Sequence, residues 1–199
     1  MCSDMILRGS LRFAAKLASL ESGVPCRGPS RLTLENENCK MNESKRMAEL
    51  YHSVYEGDEH GEAWHGPALK PLLKDVNAKQ ASQNPELGTH SILQLVLHVA
   101  YWEEVTLQRL NGKRVDAPLN SLDDWPKNRK LSAAEWQAAL ARLEKSHTAL
   151  RKAIESCSEE TLGRKVPDRN YDNYVLLHGT IDHCIYHAAQ IALVKKTLS

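Results

Sequence analysis

Long hydrophobic runs, paired cysteines and an excess of one charge are all missing from this chain. No apolar run approaches the roughly 20 residues that a membrane-spanning helix needs, so we expect no membrane partner. Charged residues interrupt the hydrophobic residues of the N-terminus, which disfavours a secretory signal peptide. A weak amphipathic targeting segment is the alternative that stays open. The 26 basic residues nearly balance the 25 acidic ones, so composition gives no support for nucleic acid as a partner.

The cysteines show no pairing pattern. They are odd in number and scattered, without a CxxC pair, at Cys2, Cys26, Cys39, Cys157 and Cys184. Such a set fits neither a disulfide framework nor a zinc ribbon, and we expect a reducing, cytoplasmic location. The chain also lacks a GxSxG elbow, a Walker loop and a GxGxxG fingerprint, so serine-hydrolase, nucleotide and dinucleotide chemistry have no support.

The composition indicates an extension followed by one domain. The 199 residues, 42% of them hydrophobic, suffice for one domain with a sizeable core, and a second full domain is not expected. Residues 1–40 carry glycine, proline, serine and asparagine without a sustained apolar period, which predicts a poorly ordered N-terminal extension. The domain then covers residues 41–199. The alternative that the extension belongs to an over-long gene model, with Met41 as the natural start, stays open.

Helical periodicity predicts four long helices and no convincing strand in the domain. They are predicted at residues 43–56, 91–111, 132–154 and 172–198. Ser91 and Ser132 each begin a capping-box signature, because Gln or Glu follows three residues later. Pro67 is expected in the first turn of a short helix that resumes after the first one. These elements favour an all-α four-helix bundle with up-down helices, a fold in which metal sites are commonly built from facing core positions.

Three histidines are the main candidates for chemistry. His183 and His187 are spaced i, i+4, which places both on one helix face. His98 stands in a segment that is apolar all round and is therefore expected to be buried. Burying three uncompensated imidazoles costs several kcal/mol unless partners or a cation occupy the space between them. Three such imidazoles would bind one divalent metal and leave positions free for water or substrate.

On the fourth helix, the histidine pair belongs to a predicted core stripe. The stripe is formed by Leu176, Thr180, His183, His187, Gln190 and Val194. His178 lies about 140° around the helix from His183, so an unbroken helix cannot direct it at the same ion. Cys184 lies about 100° from His183 and is predicted to be a core residue. On the third helix, His147 is a reserve ligand, with a buried structural histidine as the alternative.

Two segments resemble a known family. The sequence HCIYHAAQI at residues 183–191 resembles the C-terminal HxxxHxxQI motif of the DinB/YfiT-like superfamily. His98, in the sequence LVLHVAYWE, resembles the single histidine on the second helix of that family. The resemblance covers about residues 43–198, with four helices in the expected order. Many relatives have Arg-Gly where Ala188 and Ala189 stand here, so any role of that arginine is absent.

The resemblance implies a bundle in which His98, His183 and His187 hold zinc, nickel or a similar divalent ion. Proteins of the family often form dimers, and those that are characterised include an isomerase and S-transferases that use bacillithiol or mycothiol. We therefore expect a homodimeric, metal-dependent enzyme that activates a thiol or water for S-transfer to a small molecule, or for hydrolysis. A low-molecular-weight thiol is the expected co-substrate. No catalytic side chain is assigned.

Five further residues are candidates for hydrogen bonding to the ligands or for a pocket wall. They are Gln190, Trp102, Glu103, Asp182 and His65. The first four lie near the ligands in sequence, whereas His65 lies where the first helix breaks and is placed at the pocket mouth. A solvated, core or capping role is the competing interpretation for each of them.

A second hypothesis belongs to a different class of function. Because no clear general base stands beside the proposed ligands, the bundle is alternatively a non-catalytic protein that a metal stabilises. It would then act as a dimerisation module or as a small-molecule binding module.

Overall fold

The computed structural model describes residues 42–83 and 90–198. The predicted N-terminal extension, residues 1–40, lies outside the described residues. Within the described ranges the chain forms helices α1 Glu43–Glu56, α2 Leu69–Leu73, α3 Ala78–Ala81, α4 Ile92–Leu110, α5 Ala133–Glu155, α6 Glu159–Gly163 and α7 Asn173–Thr197, and strands β1 Glu62–Ala63 and β2 Gly66–Pro67.

The four long helices α1, α4, α5 and α7 form the bundle. Helix α4 packs on α5 and α7, and α1 packs on the same two helices. The all-α four-helix bundle that the sequence predicts is therefore confirmed. No helix within the described ranges combines the length and the apolar content that crossing a membrane requires.

Local capping chemistry sets the helix starts. Ser91 and Gln94 form the predicted capping box of α4, with the Gln94 N–H donating to Ser91 Oγ at 3.3 Å and the Ser91 N–H donating to Gln94 Oε1 at 3.1 Å. Ser132 and Glu135 do the same for α5, and the side chain of Asp172 caps α7. Each side-chain oxygen accepts from an amide that has no partner within its helix, which explains why the predicted boundaries agree with the structure.

The segment after α1 differs from the prediction. Pro67 was expected in a helix, but it pairs with Glu62 across a two-stranded antiparallel hairpin, and α2 begins after Ala68. Gly57 and Gly61, which precede β1, both adopt a φ of 76°, and Gly66 in β2 has a φ of 123°, conformations that glycine adopts at little cost. The Ala68 N–H then donates to the Gly61 carbonyl oxygen at 3.0 Å. The short helix α6 was also not predicted.

The apolar core lies next to the predicted stripe of α7. Its buried apolar residues on this helix are Leu177, Ile181, Cys184, Ala188, Ile191 and Val194, the last of which also belongs to the predicted stripe. Cys184 is a core residue, as predicted, with 1% of its surface exposed. The stripe that carries His183 and His187 borders this core, and His183 lies where the apolar interior meets a pocket.

The connection between α4 and α5 is unusually long. No helix or strand is assigned in residues 111–132, whereas connections in bundles commonly have about 2–8 residues. The loop is nevertheless anchored to the domain, because Asp124 is buried with 1% of its surface exposed. Its position brings this carboxylate to α4.

Candidate metal centre

Three imidazoles converge between α4 and α7. His98 Nε2 lies 3.0 Å from His183 Nε2, and His187 Nε2 lies 3.0 Å from the same atom. One nitrogen of each ring lies within 4.8 Å of the others, an arrangement that is able to hold a metal ion. The i, i+4 spacing on α7 thus brings its pair of rings together with the lone histidine of α4.

Two of the rings are oriented by acceptors at their far nitrogens. His98 Nδ1 lies 2.8 Å from Asp124 Oδ1 and 3.0 Å from the main-chain oxygen of Asp124. His187 Nδ1 lies 2.6 Å from Gln190 Oε1. An acceptor at Nδ1 keeps the proton there, which leaves the Nε2 lone pair of each ring directed into the cluster.

This assignment of protons provides a test of fit for a metal. His183 Nε2 faces the lone pairs of both His98 and His187, but it carries at most one proton. At least one of the two contacts at 3.0 Å therefore sets lone pair against lone pair unless a cation lies between the rings. Two nitrogens bound to one tetrahedral zinc ion, each at about 2.0–2.1 Å, are roughly 3.3 Å apart. The spacing and the donor types fit a divalent metal that accepts imidazole.

Burial keeps the imidazoles neutral. The pKa of His183 is lowered to about 3, chiefly by burial and further by His187 and His98. Burial also lowers the pKa of His187 to about 4, although its hydrogen bond to Gln190 opposes the shift. The pKa of His98 is lowered by burial against the opposing effect of Asp124. Neutral rings are the form that binds a metal.

The sequence analysis missed Asp124, which supports the cluster most directly. Besides His98, its Oδ1 accepts from Trp102 Nε1 at 2.7 Å, and its Oδ2 accepts from the Asn120 N–H at 2.7 Å. A carboxylate behind a ligating histidine fixes the ring orientation and strengthens the ring as a donor. The length of the α4–α5 loop was the available signal, since long loops in small domains are usually functional or disordered.

Trp125 was missed as well. Its ring stacks on His98, with centroids 3.8 Å apart and planes 11° apart, and also on His90, with centroids 3.5 Å apart and planes 7° apart. The sequence indicated no partner for His90. Trp125 packs on the face of the His98 ring, whereas Asp124 contacts the edge of the ring at Nδ1. The two residues therefore restrain the ring in different directions.

The structure separates the predicted neighbours of the cluster into two groups. Gln190 bonds to His187, and Trp102 lies against the cluster with its ring centroid 6.3 Å from that of His98. Glu103 lies elsewhere, bonded to Tyr51 Oη and to Ser146 Oγ. Asp182 is exposed on α7.

The other histidines also lie outside the cluster. His65 is exposed in the turn between β1 and β2. The reserve candidate His147 is buried among aromatic rings, stacked on Tyr55 with centroids 3.8 Å apart. His178 contacts Tyr174. Among the described residues, the cluster that is able to hold a metal contains only the three predicted ligands.

A pocket of about 300 Å³ opens beside His183. Residues of α4, of α7 and of the segment before α7 line it: Trp102, Thr106, Arg109, Tyr171, Val175, Leu176, Gly179, Thr180 and His183. A small molecule in this pocket therefore has access to the face of the histidine cluster that His183 presents.

Comparison with known proteins agrees with the geometry. Neither the curated proteins nor the solved structures give a significant match. The model of the DinB superfamily matches residues 63–191, which is more than half of the chain and includes all three histidines of the cluster. The chain therefore belongs to the DinB superfamily.

Proposed function

We propose that this protein is a metal-dependent enzyme whose histidine cluster holds a divalent ion, zinc or nickel, that activates a nucleophile for a small substrate. The observation that carries the proposal is the convergence of three neutral Nε2 donors, two of them fixed by acceptors at Nδ1. A divalent ion on three neutral ligands keeps its double charge, which lowers the pKa of a bound water from 15.7 towards roughly 7 or holds a thiol as thiolate.

The composition of the pocket favours transfer of a thiol over hydrolysis. Among the described residues, those that line the pocket include no aspartate or glutamate. Asp124, the carboxylate nearest the cluster, is occupied by His98, Trp102 and the Asn120 amide. Hydrolysis profits from a side chain that moves protons to and from water. A thiolate needs no further deprotonation before it attacks an electrophile. S-transfer therefore does not require a general base among these side chains.

The residues around the cluster would orient the imidazole rings and provide an apolar wall for the pocket. Asp124 and Gln190 hold two of the three rings in one orientation. The indole of Trp102 and the buried side chain of Leu176 give the pocket an apolar wall. Apolar surroundings strengthen the electrostatic attraction between a cation and a thiolate.

Metal content tests the proposal. Full-length protein purified without affinity-tag metals is expected to hold about one divalent ion per chain by elemental analysis. The variant His98→Ala/His183→Ala/His187→Ala should hold none, whereas His178→Ala, a change on the same helix outside the cluster, should retain the wild-type content. Wild-type content in the triple variant would overturn the proposal.

Activity is the second measurement. A panel of low-molecular-weight thiols with an electrophilic acceptor is expected to give metal-dependent thioether formation by the wild type and by His178→Ala, and none by the triple variant. Hydrolysis without thiol transfer would contradict the preference for S-transfer. The homodimer remains part of the proposal, and sedimentation of the same samples measures it.

A non-catalytic, metal-stabilised bundle is the second candidate, and the lack of an acidic residue among the described residues that line the pocket favours it. Chelation separates the two candidates. A large fall in the thermal midpoint on metal removal, together with no turnover of any thiol, supports the structural role. An apo protein that stays folded supports an open, reactive site.

A further inference from the structure

Arg109 places a positive charge in the pocket beside His183, although its side chain is almost fully buried. It stands in the last turn of α4 and has only 6% of its surface exposed. Its guanidinium carbon lies 5.8 Å from the centre of the Trp102 ring. Arginine is almost never this buried in a soluble protein unless a partner neutralises it.

No such partner is found for Arg109 among the described residues. Its hydrogen bond is a long one, from Nη2 to the Val115 carbonyl oxygen at 3.5 Å, and it forms no ion pair with any carboxylate of the described ranges. Burial and the neighbouring charge of Arg169 lower its pKa. A guanidinium has five N–H donors, so a single long bond to a loop carbonyl leaves most of its capacity unused.

The two threonine hydroxyls of the pocket have no free proton to donate to an anion. Thr180 Oγ1 donates to the Leu176 carbonyl oxygen at 2.9 Å and also lies 3.0 Å from Thr106 Oγ1. Because the proton of Thr180 is used by Leu176, Thr106 is the donor in the contact between the two hydroxyls. Both hydroxyl protons are therefore engaged. Arg109 is the only charged side chain among the described residues that line the pocket.

The size of the pocket and the shape of the guanidinium narrow the class of ligand. A pocket of about 300 Å³ stands at the small end of the range for small-molecule sites, which is about 300–1,000 Å³. The planar fork of a guanidinium matches the two oxygens of a carboxylate, and the pair gains both energy and geometric specificity. Since His183 lines the same pocket, one small molecule can contact both residues.

We propose that this pocket binds a small carboxylate, with the carboxylate group on the guanidinium of Arg109 and the reacting end beside His183. The identity of the reacting end rests on the proposed function, but binding at Arg109 does not. The substrate or the thiol co-substrate is thus an organic acid, and Arg109 selects it and sets its orientation.

Calorimetric titration of the full-length, metal-loaded protein with succinate tests the proposal. Wild type is expected to bind succinate and to bind the neutral analogue succinamide much more weakly. Arg109→Gln should weaken succinate binding roughly ten- to hundredfold, the effect expected for losing hydrogen bonds to a charged group. The succinate affinity of Arg109→Lys should fall between those of the wild type and Arg109→Gln, because lysine keeps the positive charge but lacks the planar guanidinium that binds both carboxylate oxygens.

Arg114→Gln is the matched control, since Arg114 is exposed and pairs with Asp168. It should bind succinate as the wild type does. Arg109→Gln should also unfold at the same temperature as the wild type or higher, because removing an unpaired buried charge relieves a desolvation cost. A lower unfolding temperature together with unchanged succinate affinity would instead mark Arg109 as a structural support of the loop and would overturn the proposal.

Two further arms separate this inference from the proposed function. Succinate binding that survives Arg109→Gln but disappears in the triple histidine variant would place the anion on the metal, which overturns the role of Arg109 and leaves the proposed function intact. If the wild-type protein takes up no metal in elemental analysis and yet binds succinate in a manner that depends on Arg109, the binding supports the inference and the missing metal contradicts the proposed function. Inorganic phosphate that binds more tightly than succinate would overturn the assignment of a carboxylate.

Discussion

A single loop carboxylate organises one side of the candidate metal centre. Asp124 receives hydrogen bonds from His98, Trp102 and the Asn120 amide, and it is almost fully buried. The carboxylate oxygen at Nδ1 keeps the proton of His98 on that nitrogen. The donor strength of His98 therefore depends on a residue that lies 26 positions further along the chain.

The first prediction concerns this carboxylate. Asp124→Asn should lower metal affinity about 10- to 100-fold, because the ring of His98 loses its charged acceptor. Competition with a chromophoric chelator measures the effect. Asp123→Asn, the neighbouring exposed position, is the control and should bind metal as the wild type does. Equal affinities of the two variants would show that Asp124 does not support the ligand.

At the scale of secondary structure, local capping residues set the starts of the long helices, whereas the segment after α1 involves close contacts between backbone atoms. The capping residues of α4, α5 and α7 act on amides within three positions of themselves, so their chemistry is visible in the sequence. The turn that leads from α1 into the hairpin instead brings Gly57 close to the backbone of Gly61 and Glu62. Pro67 pairs with Glu62 across that hairpin, and no periodic pattern in the sequence marks either contact.

A pair of glycine substitutions isolates the contact at Gly57. Gly57 and Gly112 share a φ of 76°, a conformation that L side chains rarely adopt, so alanine at either position should lower the free energy of unfolding by about 1–3 kcal/mol through backbone strain. A Cβ on Gly57 would lie 2.5 Å from the Gly61 carbonyl carbon, whereas a Cβ on Gly112 meets nothing within 4 Å. Gly57→Ala should therefore cost a further amount of about 1–3 kcal/mol. Urea unfolding measures both, and equal losses would contradict the close approach.

For the molecule as a whole, the histidine cluster links stability to pH. Without metal, the folded protein keeps His183 and His187 neutral, with pKa values lowered to about 3 and about 4. The unfolded chain binds protons at these residues once the pH falls below their ordinary pKa of about 6.5. The unfolded state then carries more protons than the folded state, so stability falls as the pH falls.

The third prediction follows from this linkage. The free energy of unfolding of the chelated protein should be unaffected by these groups above about pH 6.5 and should fall steadily between about pH 6.5 and pH 4. Urea unfolding at several pH values measures the slope. The triple histidine-to-alanine variant should show a shallower slope over the same window. Identical slopes would mean that the imidazoles do not stay neutral in the folded protein.

The sequence by itself determined the four long helices and the histidine pair on α7, because helical periodicity, capping and i, i+4 spacing act over a few neighbouring residues. The meeting of His98 with that pair, 85 positions away from His183, was implied only by the family resemblance. Only the tertiary structure decided which distant groups meet them. The fold of the α4–α5 loop places Asp124 and Trp125 against His98, and the packing of α4 on α7 brings Arg109 and His183 to one pocket. Glu103 follows Trp102 directly, yet it bonds to Tyr51 and Ser146 in another polar cluster, because consecutive helical residues project about 100° apart.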